Sequence, residues 1–404
     1  MPSVAVDKSL LCDCDRICHP AETWQRVEAL LPQFGITRLS RLTGLDKVGI
    51  PVWNAVSPNA KSIVINQGKG VSDLDARVSA AMEALERAVA GSPAVLTIET
   101  SPRELLTAGE RVMTLPELIA SGQYDIGIDD VIVWIKGKDL IAKQTVWIPL
   151  HAVTLDRTLE NCRFWQSSDG LASGNDETEA ILHGLLERVE RDADALWRLR
   201  SMSARLATCI DPACFGDPVI DGLTEKYARA GLILRVFDLT SEIAVPCYSA
   251  VAAEADILNR RLPRFHDVTI GYGAHPVPRR AVLRALTEVA QSRLTYISGA
   301  RDDIFAETYE RPLSTDTQKL FEARPVPPAS QALSGKAGNP ESLLKTLLSR
   351  LEEAGIMTVI AVPLQSPGLP VSVIKIIVPD LESPDGARKR RLGARALSLA
   401  VSAA

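Results

Sequence analysis

The motif E-x-x-E-R occurs twice in this 404-residue chain, each time in a stretch with helical periodicity and many apolar residues. The two copies are Glu83, Glu86 and Arg87, and Glu187, Glu190 and Arg191. Carboxylates usually avoid apolar helix faces, because burying an unpaired charge is costly. Two segments that break this rule in the same way point to a shared cation. The pattern therefore predicts a site for a metal ion and phosphate.

Helix geometry places further polar residues beside these glutamates. At 100° per residue, Ser79, Glu83 and Glu86 fall within about 40° of one another. The matching stripe on the second helix consists of Glu179, His183 and Glu190, with Glu187 at its edge. For either helix alone, a solvated face with surface ion pairs is an equally good interpretation, since exposed Glu and Arg are common.

For both helices together the solvated alternative weakens. Carboxylates that converge on one cleft repel each other, and each pair at ~4 Å costs about 4 kcal/mol at an effective dielectric constant near 20. Bound cations or raised pKa values would relieve that repulsion. Mg²⁺ is the natural candidate, because it binds a few carboxylates together with phosphate oxygens.

Any phosphate-binding segment of this chain must differ from the common nucleotide-binding motifs. The chain has no G-x-x-x-x-G-K-[ST] and no kinase-like G-x-G-x-x-G followed by V-A-I-K. We interpret 68–70 and 271–273 as glycine-containing turns. The loop D-G-L-A-S-G-N brings Asn175 and backbone N–H groups to a helix N-terminus, which favours anions. Arg293 and Arg301 could add bidentate phosphate contacts, or they could only stabilise a helix C-terminus.

Alternating helices and strands must position these residues. Helices are expected at 20–33, 72–90, 176–200, 277–299, 341–354 and 385–402, and strands at 61–65, 131–155 (a hairpin), 232–253, 357–363 and 371–378. Capping-box spacings at Ser101 and Thr114 predict two short helices. Five prolines between 311 and 341 predict a mobile loop. The mixed pattern without a composition break predicts one integrated α/β domain over 1–404.

Composition excludes several classes of protein. The formal net charge of −5 argues against nucleic acid as the main partner. No apolar run approaches the ~18–20 residues that cross a membrane, and the N-terminus lacks a signal pattern, so a cytoplasmic location is expected. Cys12, Cys14 and Cys18 lie close together and could hold a metal, but their spacing is unlike common sites and favours reduced thiols. The sequence allows a homodimer without specifying it.

The chain resembles the YcaO family, ATP-dependent enzymes that activate peptide backbone amides. The matching segments are 42–53, 69–87, 169–192 and 285–303. The resemblance implies a single α/β domain of mixed sheets and helices with a non-P-loop ATP site, and ATP and Mg²⁺ as cofactors. One departure is Asp169, where the family commonly has a neutral polar residue.

Site residues follow from the family motifs. The S-x-x-x-E-x-x-E-R motif falls on Ser79, Glu83, Glu86 and Arg87, and the second motif falls on Asn175, Glu179, Glu187, Glu190 and Arg191. The resemblance implies Glu83, Glu86, Glu179 and Glu190 as Mg²⁺ ligands. It implies nucleotide contacts from Arg16 and Thr23, which have the spacing of the family's N-terminal pair, and from Arg293 or Arg301.

The implied reaction begins when a nucleophile adds to a backbone amide and ends when phosphate leaves. Sulfide as the nucleophile gives a thioamide, whereas a Cys, Ser or Thr side chain gives an azoline. The compact form without a P-x-P-x-P tail resembles stand-alone members that thioamidate a peptide or protein with a TfuA-like partner, which makes thioamidation the expected reaction. Alternatives are azoline formation and a nucleotide-binding scaffold that assists another enzyme.

Overall fold

The computed structural model describes residues 16–327, 338–365, 367–383, 386–390 and 392–402. The α/β fold predicted from the sequence is confirmed. The α-helices of these residues are α1 (Pro20–Val27), α2 (Asp73–Gly91), α3 (Pro102–Thr107), α4 (Glu177–Arg198), α5 (Met202–Leu206), α6 (Pro218–Arg229), α7 (Pro278–Ser298), α8 (Ala306–Glu310), α9 (Thr315–Lys319), α10 (Pro340–Glu353) and α11 (Ala394–Ser402).

The strands build three antiparallel sheets in the described part of the chain. The strands are β1 (Arg38–Arg41), β2 (Val52–Val56), β3 (Ile65–Lys69), β4 (Thr97–Thr100), β5 (Ile132–Asp139), β6 (Gln144–Pro149), β7 (Leu171–Gly174), β8 (Cys209–Ile210), β9 (Leu232–Asp238), β10 (Cys247–Glu254), β11 (Val268–Ala274), β12 (Ile360–Pro363) and β13 (Ser372–Ile377). A three-stranded sheet has the order β1-β2-β3, a four-stranded sheet β11-β10-β9-β8, and a six-stranded sheet β4-β5-β12-β13-β7 with β6 also paired to β5.

A strand followed directly by a long helix occurs once in each sheet. The pairs are β3–α2, β7–α4 and β11–α7, and each helix packs on the strand that precedes it. Helix α2 also contacts β7, α7 also contacts β3, and α4 contacts the four-stranded sheet as well as its own. The three helices thus lie where the sheets adjoin. Most of the predicted site residues lie on these helices or their leading loops, whereas Arg16 precedes α1, Thr23 lies in α1 and Arg301 follows α7.

Glycine residues in the strands allow the strands to pack closely against the helices. A Cβ atom at Gly68 of β3 would overlap the backbone of Ala80 in α2, and one at Gly174 of β7 would overlap the backbone of Ala180 in α4. Side chains on both helices then bury apolar faces: Met82, Leu85 and Val89, and Ile181, Leu182, Leu185 and Val189. Burial of these faces fixes which side of each helix carries the glutamates.

We expect Gly68→Ala to destabilise the protein, because the added methyl group must displace the α2 backbone; overpacking of this kind costs about 1–3 kcal/mol. Gly44→Ala is the control, since no atom lies within 4 Å of a Cβ at that position. Chemical denaturation of both variants measures the difference. Equal unfolding free energies for the two variants would contradict the close approach of β3 and α2.

Most long elements match the sequence prediction, including α2, α4, α7, α10 and the β5–β6 hairpin. Ser101 forms a capping box as expected, and Ser72 forms one at the start of α2. The box predicted at Thr114 does not form; a short 3-10 helix, Pro116–Leu118, follows without a side-chain cap. The helix predicted at 20–33 becomes 3-10 after Val27, because it contains Pro32, which lacks an N–H.

Three local predictions are wrong for tertiary reasons. The strand predicted at 61–65 lies instead at Ile65–Lys69, where the side-chain amide of Gln67 is buried and donates to Asn54 at 3.0 Å. The glycines predicted as turns at 68 and at 271–273 lie inside β3 and β11. The C-terminal helix begins at Ala394 rather than near 385.

The segment 311–341 is not a structureless loop over its first half. Helix α9 and the 3-10 helix Leu320–Glu322 lie there. Leu320 and Phe321 are buried in the same apolar cluster as Trp197 and Phe237. The segment is ordered despite its prolines, because apolar residues between them pack against other parts of the chain. Residues 328–337 lie outside the described part of the chain.

Candidate functional site

Glu83 and Glu86 of the first E-x-x-E-R motif, on α2, lie close to Glu187 of the second motif, on α4. Burial raises the pKa of Glu86 well above 4.5, and the charges of Glu83 and Glu187 raise it further. Burial also raises the pKa of Glu187, together with the charge of Asp169 and against the nearby Arg191. The predicted convergence of the two motifs is therefore present in the structure, and Glu187 lies inside the acidic group rather than at its margin.

Helix α7 adds a glutamate that the sequence analysis did not identify. Burial raises the pKa of Glu190 to about 8, and Glu288 of α7 is the strongest charge that adds to this. Glu288 forms an ion pair with Lys69 at the end of β3. The sequence contains a signal for Glu288, because this charged residue lies among Ala, Leu, Thr and Val in a helix that is mostly buried.

Basic side chains adjoin these carboxylates. Arg191 donates to Glu187 at 3.3 Å and lies 4.0 Å from Asp169. Arg87 pairs with Glu83 at 3.2 Å. Burial lowers the pKa of Lys375 on β13 to about 8, although Asp169 and Glu187 oppose this effect. The site is thus a set of carboxylates interleaved with cations, which is the composition expected where a phosphate chain and metal ions meet.

We call Glu83, Glu86, Glu187, Glu190 and Glu288 the acidic cluster. The donor set fits a hard divalent cation, because the raised pKa values of Glu86, Glu187 and Glu190 mark buried carboxylates that lack enough positive charge nearby. Within the described residues, no three carboxylate, imidazole or thiolate groups surround one point as ligands of a metal ion would. Instead Glu83 and Glu187 are turned toward arginines of their own helices. Ligation by Glu83, Glu86 and Glu190 stays a prediction.

A second polar group lies at the start of α4. Glu179 is fully buried, accepts two hydrogen bonds from the side-chain amide of Asn175 (3.0 and 3.1 Å), and pairs with Arg16 at 2.8 Å. The backbone N–H of Ile17 donates to the same carboxylate at 3.0 Å. Thr23 donates to the Asn175 carbonyl oxygen at 2.9 Å. The N-terminal pair and the N-x-x-x-E segment, far apart in sequence, thus form one network.

The charge state of Glu179 differs from that of the acidic cluster. Burial alone would raise its pKa, but the charges of Arg16 and His183 and the hydrogen bonds outweigh burial and lower it. Glu179 is therefore an ionised carboxylate with its partners already in place.

The four predicted metal ligands cannot all bind one Mg²⁺ ion, and ligation by Glu179 stays a prediction. Glu179 and Glu190 lie eleven positions apart on the same helix, which separates them by roughly 16 Å at 1.5 Å per residue. Mg²⁺–oxygen distances of about 2 Å cannot span that gap. Glu179 belongs to the network with Arg16 and Asn175, and Glu190 to the acidic cluster.

The two candidate arginines of the third segment lie in different surroundings. Arg301 is paired with both carboxylate oxygens of Asp303 (2.8 and 2.6 Å) and interacts electrostatically with Glu83. Arg293 pairs with Asp46 at 2.8 Å and Glu254 at 3.4 Å, and neither belongs to the acidic cluster. Of the two, Arg301 is the one placed toward the cluster. Ser79 lies half-buried on α2, one turn before Glu83.

The predicted thiol cluster falls largely outside the described residues, which exclude Cys12 and Cys14. Cys18 is buried, with its sulfur 3.6 Å from the Thr23 hydroxyl. A metal held by the three cysteines stays an untested alternative. None of the helices in the described ranges is long and apolar enough to cross a membrane.

Comparison with known proteins accounts for this arrangement. A family described as YcaO cyclodehydratase, binding ATP and Mg²⁺, matches residues 67–382. The chain belongs to the YcaO family. A relative from Rhizobium leguminosarum bv. trifolii, an uncharacterized protein in the tfuA 3' region, is 39% identical over 95% of this chain and 92% of its own length. The family membership and the cofactors ATP and Mg²⁺ predicted from the sequence are confirmed.

Solved YcaO structures share the fold. The YcaO protein from Methanopyrus kandleri, bound with AMPPCP and Mg²⁺, has a TM-score of 0.71 and 25% identity, covering 94% of this chain and 97% of its own. A heterocyclase in complex with substrate and cofactor has a TM-score of 0.73 and 21% identity. That match covers 91% of this chain and 53% of the heterocyclase. Because the identity is only 21%, the match shows the fold alone.

The different surroundings of Arg293 and Arg301 give a prediction for this YcaO protein. Arg301→Met is expected to weaken Mg·ATP binding about tenfold or more, equivalent to 1.4 kcal/mol, because it removes a cation beside Glu83. Arg293→Met is expected to leave the dissociation constant within about twofold while lowering stability, since buried Asp46 loses its partner. Calorimetric titration and thermal unfolding measure the two effects. If Arg293→Met weakened Mg·ATP binding and Arg301→Met did not, Arg293 rather than Arg301 would be the arginine at the nucleotide.

Proposed function

We propose that this protein uses Mg·ATP to activate a peptide backbone amide, and that sulfide attack then gives a thioamide. The acidic cluster interleaved with Arg191 and Arg301 carries the proposal, because it suits a transferring phosphoryl group. The relative in a tfuA region supports sulfide as the nucleophile. We further propose a TfuA-like protein as the partner and the cytoplasm as the location.

The reaction balances without a redox step. Hydrosulfide adds to the amide carbon, and the electron pair of the C=O bond moves to oxygen. That oxygen takes the γ-phosphoryl group of ATP, and ADP leaves. Hydrogen phosphate then departs with the former amide oxygen and the proton of hydrosulfide, and a C=S bond forms. The products are thioamide, ADP and phosphate.

Residues at different positions of the site have different proposed roles. Glu86 and Glu190, with Glu83 beside them, would hold Mg²⁺, which supplies charge neutralisation at the phosphate oxygens. Arg191 lies within 4.0 Å of both Glu187 and Asp169, and this fixes its guanidinium at the cluster. No covalent nucleophile on the protein is required, so these groups act by positioning and electrostatics.

The Arg16, Thr23, Asn175 and Glu179 network would bind the nucleoside end of ATP. Roughly 16 Å of helix separates Glu179 from Glu190, so one network recognises the nucleotide while the other handles its phosphates. Ser79 lies on the face of α2 that carries Glu83 and would face the phosphate chain. This division is an alternative to the predicted role of Glu179 as a metal ligand.

Azoline formation is the second candidate, favoured by the family description as a cyclodehydratase and by the heterocyclase that shares the fold. It uses the same Mg·ATP site, but a Cys, Ser or Thr side chain of the substrate replaces hydrosulfide. The third candidate, a scaffold without turnover, is disfavoured because Glu83, Glu86, Glu187, Glu190 and Arg191 are all present.

Mass spectrometry distinguishes the products. Incubation with Mg·ATP, sulfide, a TfuA-like protein and the peptides encoded beside this gene should add about 16 Da to a peptide when sulfur replaces oxygen. A loss of about 18 Da would show cyclisation instead. Neither change, together with no peptide-stimulated phosphate release, would favour the scaffold. Omitting sulfide is the control, because it stops thioamidation and spares cyclisation.

A further inference from the structure

A cavity of about 240 Å³ opens directly beside the acidic cluster. Its wall includes Asp169, Arg188 and Lys375, which also interact with Glu187. Cavity and cluster therefore share one wall. The proposed function needs two adjoining sites, because a phosphoryl group must pass from ATP to an atom of a second substrate.

Two of the charged groups in that wall are held by the protein itself. Arg188 donates to the carbonyl oxygens of Leu381 and Glu382 at 3.1 and 3.2 Å. Asp169 accepts from the hydroxyl of Ser383 at 2.6 Å and pairs with Arg188 at 3.7 Å. These bonds fasten the segment after β13 to the start of β7 and to α4, and they shape the cavity.

Lys375 is a cation of the wall that faces both the cavity and the acidic cluster. Its residue is 5% exposed, and its ammonium donates to the carbonyl oxygen of Ser167 at 2.5 Å. A lysine ammonium has three donors, so this bond leaves others for the cavity. Glu86 and Glu187 act on Lys375 electrostatically from the cluster side. Lys375 therefore lies between the phosphate-handling groups and the cavity.

The rest of the cavity suits an extended chain. Trp165, Ile377 and Leu392 line it with apolar surface, and polar groups come from two serines and four charged side chains: Ser167, Ser383, Glu117, Glu382, Arg388 and Arg390. Ligand pockets for drug-sized molecules run to roughly 300–1,000 Å³, so a cavity of about 240 Å³ takes one or two residues rather than a folded partner.

We propose that this cavity receives the peptide segment whose backbone amide is modified, with the Lys375 ammonium against the amide oxygen. The assignment rests on the proposed function and specifies where its second substrate binds. When the nucleophile adds to the amide carbon, negative charge develops on that oxygen, and an ammonium in a site shielded from water stabilises it. The oxygen then accepts the phosphoryl group from the cluster side, and the Lys375 proton stays on its nitrogen.

A matched pair of surface leucines tests the cavity. Leu392 (50% exposed) lines it, whereas Leu397 (53% exposed) lies on α11 away from it. A pool of random N-acetylated hexapeptide amides is equilibrated with the full chain and Mg·AMPPCP, and mass spectrometry quantifies the retained peptides. Wild type and Leu397→Trp should retain peptides, and Leu392→Trp at least about tenfold less. Equal retention by the two variants, or none by wild type, would overturn the assignment.

Lys375→Met tests the role of the ammonium. It should leave the dissociation constant for Mg·AMPPCP within about twofold, leave KM for the peptide nearly unchanged, and lower kcat of peptide-stimulated phosphate release about 10²–10³-fold. Weaker AMPPCP binding by tenfold or more would assign Lys375 to the nucleotide and overturn its role at the amide oxygen. A wild type that retains peptides but does not bind Mg·AMPPCP would contradict the proposed function while still supporting the peptide cavity.

Discussion

Glu190→Gln is expected to lower Mg²⁺-dependent ATP turnover at least about 10²-fold while leaving the protein folded. Glutamine keeps the shape of the side chain but removes a charge that a metal ion would need. The metal-free protein should tolerate the change, because burial and Glu288 already raise the pKa of Glu190 to about 8. Loss of function without loss of stability would distinguish a ligand from a structural carboxylate.

Glu177→Gln is the matched control, since Glu177 is an exposed glutamate in the first turn of the same helix. Phosphate release at increasing Mg²⁺ concentration measures turnover, and thermal unfolding with and without Mg·AMPPCP measures binding. Stabilisation by the nucleotide should disappear in Glu190→Gln and persist in Glu177→Gln. If Glu190→Gln retained both turnover and stabilisation, the acidic cluster would not be the metal site.

Glu179→Gln is expected to weaken nucleotide binding at least about tenfold, or 1.4 kcal/mol, without changing the Mg²⁺ concentration needed for half-maximal turnover. The carboxylate holds Arg16 and Asn175, so its loss disorders the network without touching the cluster. Titrating Mg²⁺ at saturating ATP, and ATP at saturating Mg²⁺, separates the effects. If Glu179→Gln instead raised the Mg²⁺ concentration needed for half-maximal turnover, Glu179 would be a metal ligand.

The same substitution gives a pH signature. The pKa of Glu179 is lower in the folded protein than its ordinary value of 4.5, because Arg16, His183 and hydrogen bonds outweigh burial. Its contribution to stability is therefore present above pH 4.5 and is lost as pH falls through the folded pKa. Hydrogen bonds to charged groups contribute about 1.5–3 kcal/mol. Wild type should exceed Glu179→Gln in unfolding free energy at pH 7, and the gap should narrow in acid.

The long helices were the most predictable part of the fold. In α2 and α4, apolar residues repeat with the helical period, so the buried face and the glutamate face both follow from spacing. The strands next to the site were less predictable. Strand β3 carries Asn66 and Gln67, which are both buried, and Gln67 forms hydrogen bonds with Asn54 and Gln291 from other segments. Periodicity of apolar residues cannot find such a strand.

The sequence by itself determined the chemistry of the site: two E-x-x-E-R motifs on long helices, with Asn175 and Glu179 upstream of the second. Helix rise alone also separates Glu179 from Glu190, since both lie on α4. Only the tertiary structure brought Glu288 and Lys375 to the acidic cluster, and only it turned Arg293 toward Asp46. The physical reason is that spacing along a helix fixes local neighbours, whereas contacts between α7, β13 and α4 depend on how three sheets pack against one another.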